Sequence, residues 1–113
     1  MRFAIILILA ACAAVCVHAQ TPAGNAQNGR KLFESYGCYQ CHGHEGQGGA
    51  AGARIAPRPI PYAAFLKYVR QPANQMPPYT SKVVTDRELA DIYAFLESIA
   101  PPTPAKNIPI LNR

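Results

Sequence analysis

The chain is poor in several residue types that common functional classes require. It has no tryptophan, only 15% of its residues are charged, and its largest group of neighbouring basic residues is the pair Arg30 and Lys31. A nucleic-acid-binding domain needs a basic surface that follows phosphates, so this class is disfavoured although the formal net charge is +5. With 113 residues, the chain has room for one small domain and not for a two-domain enzyme.

Long hydrophobic runs are also missing, except at the amino terminus. After the positive start at Arg2, residues 3–17 are apolar or small, and Val17 and Ala19 lie at the positions that a signal peptidase reads. This pattern predicts a signal peptide over residues 1–19 that is cleaved after Ala19 and directs the protein to the periplasm. An uncleaved anchor is disfavoured because a helix of about 22 Å is shorter than the roughly 30 Å hydrocarbon core. Lipid attachment at Cys12, in a stretch that resembles a lipobox, is a further alternative.

Turn-forming residues limit the length of the helices in the rest of the chain. All eleven prolines and all eight glycines lie beyond residue 20. We predict a first helix over residues 25–36, ended by Gly37, and a second over residues 62–70. Between them, residues 43–61 are rich in glycine and proline and are expected to form a loop.

The last helix has the clearest start signal. Thr85 and Glu88 have the spacing of a capping box, and the apolar residues that follow repeat every three or four positions. These apolar residues are Leu89, Ile92, Tyr93, Leu96 and Ile99. Prolines at 101 and 102 end the helix, and the tail over residues 101–113 is predicted to be extended, as a strap over the domain or as a docking segment. We therefore expect an all-α domain over residues 20–100.

The chemistry of the chain is concentrated in Cys38-Tyr39-Gln40-Cys41-His42. Cys-x-x-Cys-His is the attachment pattern of haem c. Two thiols at this spacing can add to the two vinyl groups of one porphyrin, and the histidine that follows can ligate the iron. The predicted export signal agrees with this use, because haem is attached to such proteins after export.

Other uses of these cysteines have less support. A thioredoxin-like site would follow a strand in a βαβ unit, whereas a helical pattern precedes Cys38. A zinc site formed with His42 or His44 would need a fourth ligand, and no third cysteine lies beyond the predicted signal peptide. A disulfide between Cys38 and Cys41 would close too small a loop to stabilise the fold much.

Met76 is the expected second axial ligand. Electron-transfer haems take methionine or a second histidine on the other face, and Met76 is the only methionine beyond the predicted signal peptide. The prolines that follow it stiffen its loop. Core packing is the alternative role for this residue, although its place before two prolines suits a helix face poorly. His44 lies too close to His42 to reach the opposite face and is predicted to be solvent-exposed.

With these motifs in this order, the chain resembles the bacterial single-haem class I cytochromes c over essentially its whole mature length. The resemblance implies a small all-α fold wrapped around one covalently attached haem c, with the first and last helices crossing beside it. Gly29, Phe33 and Tyr93 match the glycine and aromatic positions of that crossing. Where the family usually has Gly-Pro-x-Leu, this chain has Gly52-Ala53-Arg54-Ile55.

The resemblance also implies roles for residues around the haem. The Ala53 carbonyl would replace the proline carbonyl that accepts a hydrogen bond from the ligand histidine, and Ile55 would keep the apolar wall. The segment from Met76 to Tyr79 matches the ligand loop of the family. Four polar residues are expected near the haem propionates, as charge partners or hydrogen-bond donors, with ordinary surface exposure or packing as the alternative: Arg54, Arg58, Tyr62 and Tyr79.

These features predict a one-electron carrier, either free in the periplasm or as the cytochrome subunit of a dehydrogenase. Its partners would be redox proteins, namely a donor dehydrogenase and an acceptor oxidase or cytochrome, and membrane attachment is not favoured. A haem enzyme or gas sensor with an open or displaceable sixth position is the alternative. It is favoured less because the chain offers Met76 as a ligand and no distal acid–base pair.

Overall fold

A computed structural model describes residues 21–111 of the chain. The predicted signal peptide, its cleavage site after Ala19 and the alternative lipid attachment at Cys12 lie outside the described residues. Within residues 21–111 every regular element is helical, which confirms the predicted all-α class. None of the helices in this part of the chain has the length and apolar character needed to cross a bilayer.

Three of the α-helices begin and end close to where the sequence predicts them. Helix α1 spans Ala26–Ser35, α2 Tyr39–His42, α3 Tyr62–Arg70 and α4 Asp86–Ser98. The one-turn helix α2 is not evident from the sequence pattern.

The carboxy-terminal tail differs from the predicted extended segment. It contains two 3₁₀ turns, Ala105–Asn107 and Pro109–Leu111. Pro109 is the first residue of the second turn, where the fixed φ of proline is compatible with helical geometry. Ile110 and Leu111 are well exposed to solvent.

Both ends of α1 carry the local bonds that helix termini need. At the start, the Asn25 side chain accepts a hydrogen bond from the Asn28 N–H at 3.0 Å. At the end, Gly37 has φ +77°, and the N–H groups of Gly37 and Cys38 donate to carbonyls in the last turn. This is the pattern of a Schellman motif, in which glycine is the favoured residue because glycine adopts positive φ without strain. The chain therefore turns sharply and passes directly from α1 into Cys38.

The predicted capping box starts α4. The Thr85 hydroxyl accepts a hydrogen bond from the Glu88 N–H at 3.2 Å, and the Glu88 carboxylate accepts one from the Thr85 N–H at 2.8 Å. The other Glu88 oxygen accepts a hydrogen bond from the Tyr36 hydroxyl at 2.8 Å, which ties the end of α1 to the start of α4. The Thr85 N–H, followed by the Tyr36 hydroxyl, holds the pKa of Glu88 below its ordinary value.

Helices α1 and α4 cross in close contact at Gly29. A Cβ added to Gly29 would overlap the backbone carbonyl of Asp91, so a glycine is needed for the helices to come this close. One turn later, Phe33 is 1% exposed and packs against Phe95 with the ring centroids 5.5 Å apart. Gly29 and Phe33 therefore lie at the helix crossing, as predicted.

The aromatic ring that α4 brings to Phe33 is not the predicted one. The Tyr93 ring packs against α3, where it lies edge-on to Tyr62 and Phe65 with centroids 5.2 Å from each. Phe95 follows Asp91 by four residues, so the two share the face of α4 that meets α1. Tyr93 is rotated from Phe95 by about 200° around the helix axis, which explains why it faces a different helix.

Asp91 is a buried carboxylate at the crossing that the sequence does not reveal. It is 5% exposed and accepts hydrogen bonds from the Asn25 N–H at 2.7 Å and the Asn28 side-chain amide at 2.8 Å. These two bonds, with a smaller contribution from the Arg87 charge, hold the pKa of Asp91 below its ordinary value. A negative charge at the amino-terminal end of α1 also interacts favourably with the helix dipole.

Replacing Gly29 with alanine should lower the free energy of unfolding by about 2 kcal/mol or more, because the helices must separate to admit the methyl group. Gly49→Ala is the matched control, since a Cβ at that position meets no atom within 4 Å. This control should change the free energy by less than about 0.5 kcal/mol. Urea unfolding followed by circular dichroism measures both effects, and equal stability of the two variants would contradict the close crossing.

Replacing Asp91 with asparagine should destabilise the protein at neutral pH and have less effect in acid. The folded-state pKa of Asp91 is lowered from its unfolded value of about 3.9. The stability contributed by the carboxylate is therefore present above that value and is lost as the pH falls through the folded-state pKa. Melting temperatures of the wild type and the variant should differ at neutral pH and converge as the pH is lowered below about 4. A difference that stays constant over this range would contradict the role of the carboxylate.

Candidate functional site

The Cys-x-x-Cys-His motif forms the one-turn helix α2. Cys38, at its start, has helical φ and ψ of −56° and −37°, and its carbonyl accepts a hydrogen bond from the His42 N–H at 3.0 Å. Residues three and four positions apart lie on the same side of a helical turn, so Cys41 and His42 share a side with Cys38. Both cysteines are free thiols, with Cys38 half-buried and Cys41 exposed. Burial raises the pKa of Cys38 to about 11.

A backbone carbonyl fixes the orientation of the His42 ring. The ring donates a hydrogen bond from Nδ1 to the Ala53 carbonyl oxygen at 2.7 Å, so the bond expected at Ala53 is present in the structure. A proton on Nδ1 leaves the Nε2 lone pair as the one that can ligate a metal. The segment that supplies this carbonyl packs directly on α2, since a Cβ on Gly52 would come within 2.8 Å of the Cys41 carbonyl oxygen.

The loop after the motif folds back onto the core through Gly46. The carbonyl of this buried glycine accepts hydrogen bonds from the N–H groups of Ile55 at 2.8 Å and Ala56 at 3.0 Å. Ala56 is buried, and the half-buried Ile55 packs against the core. Ile55 is therefore an apolar residue at the edge of the core, on the same segment as the acceptor Ala53.

The loop that contains Met76 is held chiefly at Tyr79. The Tyr79 N–H donates to the Val69 carbonyl at 3.0 Å, and its carbonyl accepts a hydrogen bond from the Arg70 guanidinium at 2.7 Å. Its hydroxyl donates to the Tyr36 carbonyl at 2.9 Å. Met76 itself is half-buried and packs against the core.

Tyr79 also brings this loop close to the attachment motif. The Tyr36 carbonyl that its hydroxyl bonds lies only two residues before Cys38. Burial raises the pKa of the Tyr79 hydroxyl, and the nearby thiols of Cys38 and Cys41 raise it further. The Met76 loop and the motif are therefore joined at the end of α1.

The polar residues expected near propionates have partners of their own or lie at the surface. The Tyr62 hydroxyl donates to the Asp86 carbonyl at 3.2 Å, and the Tyr79 hydroxyl is engaged as described. Arg54 donates from Nε to the Gln47 carbonyl at 3.4 Å, and Arg58 is exposed. Both arginines line a surface groove beside the end of α4.

His44 is exposed, as predicted. Its ring stacks on that of Tyr39 with the centroids 4.7 Å apart. Within residues 21–111, no three His, Cys, Asp or Glu side chains come together in a way that could hold a metal ion.

Comparison with known families agrees with this geometry. Residues 24–96 match the family model described as Cytochrome C oxidase, cbb3-type, subunit III. The chain belongs to this family and is a class I c-type cytochrome. The match confirms the resemblance drawn from the motifs and makes the protein an electron-transfer haem protein with redox partners. Neither the curated proteins nor the solved structures compared with the chain gave a match.

The residues of the cytochrome fit a haem group. Two thiols and an imidazole lie on one helical turn, and a thioether lies on a second loop that is tied to the same end of α1. Several apolar side chains border the core without being fully buried, as expected for the wall of an apolar cofactor. They are Cys38, Ile55, Tyr62, Leu66, Met76 and Tyr79.

The sequence does not reveal the bonds that two charged residues make. Arg70 contacts the Met76 loop, and Asp91 joins α1 to α4. Arg70 lies in the last turn of α3 and Asp86 in the first turn of α4, which is a usual place for each charge. The pairing of Arg70 with Asp86 depends on how α3 packs against α4. The bond from Arg70 to the Tyr79 carbonyl could not be derived either, because a backbone carbonyl carries no sequence signal.

Proposed function

We propose that the cytochrome is an exported one-electron carrier with one haem c, attached through thioethers to Cys38 and Cys41 and ligated by His42 and Met76. The observation that carries this proposal is the geometry of the one-turn helix α2, which holds the motif. Its His42 ring donates a hydrogen bond from Nδ1 to the Ala53 carbonyl. When bound, the haem supplies an iron that exchanges one electron between its ferric and ferrous states.

The hydrogen bond from His42 to Ala53 has two consequences for the ligand. It limits rotation of the ring, so Nε2 keeps one direction, and it makes the imidazole a stronger base toward a metal. Because the acceptor is a backbone carbonyl packed on α2, this orientation does not depend on a mobile side chain. A ligand held this way moves little when the charge of the site changes, which suits electron transfer.

Half-buried apolar side chains support the proposed haem pocket and its ligation by Met76. Ile55, Leu66 and Met76 come from three different segments and all pack at the edge of the same core. Apolar groups at this edge would exclude water from the haem, and exclusion of water together with a thioether ligand favours the ferrous state. The proposed role of Met76 is supported by its half-buried position and by the anchoring of its loop at Tyr79.

Export and partner class are inferred from the amino-terminal pattern and the family. The apolar segment before Gln20 supports cleavage after Ala19 and a periplasmic location. We infer that the carrier receives electrons from a dehydrogenase and passes them to an oxidase or another cytochrome, either free or as a dehydrogenase subunit.

Replacing Met76 with alanine should remove the weak far-red absorption band of methionine-ligated ferric haem. The ferrous variant should also bind carbon monoxide, because the sixth position is no longer filled by a thioether. His44→Gln is the matched control, since His44 is the competing ligand and is exposed. Optical spectra of the protein from the periplasmic fraction, oxidised and reduced, measure both effects.

The control should behave like the wild type, which should keep the far-red band and show no carbon monoxide complex. If the wild type binds carbon monoxide, or if its spectrum is unchanged by Met76→Ala, Met76 is not the ligand. In that case, a haem enzyme or a gas sensor becomes the better account.

A further inference from the structure

Arg70 joins the Met76 loop to the first turn of α4. Its guanidinium donates from Nη1 to the Tyr79 carbonyl at 2.7 Å and from Nη2 to the Asp86 carboxylate at 2.6 Å. The Arg70 side chain is 18% exposed, so its bond to the Tyr79 carbonyl is partly shielded from water, whereas the Asp86 side chain is 69% exposed and the ion pair is open to solvent. Hydrogen bonds from a charged donor are stronger than neutral ones, and shielding reduces the competition from solvent.

Every polar atom of Tyr79 has a protein partner. Besides the carbonyl bonded by Arg70, its N–H donates to Val69 and its hydroxyl donates to Tyr36. Tyr79 is therefore held against α3 and the end of α1, and Arg70 links it to α4. Arg70 is the only one of these partners that uses a charged side chain, and it is also the one that reaches α4.

The position of Met76 follows that of Tyr79 because only Pro77 and Pro78 separate them. Proline fixes φ and has no N–H, so this short segment has few conformations and no backbone donors of its own. On the other side of Met76, the hydrogen bond from the Tyr68 hydroxyl to Ala73 is long, at 3.4 Å. The loop is therefore held more firmly after Met76 than before it.

We propose that Arg70 is a positioning residue, which keeps the Met76 thioether at the iron by clamping the Tyr79 carbonyl to α4. The inference rests on the proposed ligation by Met76. Release of Met76 requires the loop to move away from the haem, and the clamp makes that movement less favourable. Lysine is a poor substitute, because a single ammonium lacks the planar pair of donors that reaches two acceptors at once.

Imidazole titration of the oxidised, haem-loaded protein tests this inference, because imidazole can bind only after Met76 leaves the iron. Arg70→Gln should raise the apparent imidazole affinity about tenfold or more. Tenfold corresponds to about 1.4 kcal/mol, the size of one hydrogen bond from a charged group. Arg70→Lys should give a smaller increase.

Asn28→Ala is the control for general loss of stability. It removes a hydrogen bond to Asp91 at the crossing of α1 and α4, far along the chain from the Met76 loop. Its melting temperature should fall while its imidazole affinity stays at the wild-type value. An equal rise in affinity for Asn28→Ala and Arg70→Gln would overturn the positioning role.

Met76→Ala shows whether a failure lies in the proposed ligation by Met76 or only in the role of Arg70. This variant should bind imidazole more tightly than any of the others. If it binds no more tightly than the wild type, ligation by Met76 fails, and the role of Arg70 fails with it. If Met76→Ala binds tightly but both Arg70 variants match the wild type, ligation by Met76 stands and only the clamp is wrong.

Discussion

The close crossing of α1 and α4 at Gly29 determines where the rest of the site can form. Because no side chain separates Gly29 from the Asp91 carbonyl, the two helices pack backbone against backbone. The end of α1 is then brought to the start of α4, where Tyr36 bonds Glu88. Gly37 turns the chain immediately afterwards, so the motif that starts at Cys38 begins at this junction.

Backbone carbonyls position both proposed axial ligands. The Ala53 carbonyl orients His42, and the Tyr79 carbonyl, held by Arg70, restrains the loop of Met76. A carbonyl is present at every residue, so such a site tolerates a change of side chain as long as the backbone path is kept. This explains how alanine can stand at position 53, where the resemblance leads one to expect proline, and still provide the acceptor.

The helix ends are predicted well because they depend on signals within a few residues. The contacts that the sequence misses depend on how one helix is rotated against another. Thr85 with Glu88 and Gly37 mark helix ends through bonds within a few residues, so the helix bounds follow from the pattern. Tyr93 and Phe95 are both aromatic residues on α4 but occupy different sides of it, and only the contact with α1 decides which one reaches Phe33. The hydrogen-bond donors to Asp91 likewise lie more than sixty positions away and leave no pattern in the sequence.

The proposed carrier needs a haem to complete the core between its helices. Small scaffolds bury little apolar surface, and here Ile55, Leu66 and Met76 are only half-buried by protein packing. The most direct test is circular dichroism of the mature chain prepared without haem, recorded during heating. We predict little helix and no cooperative transition. Native-like helical content with a cooperative melt would show that the helices form their core alone and would contradict the need for haem.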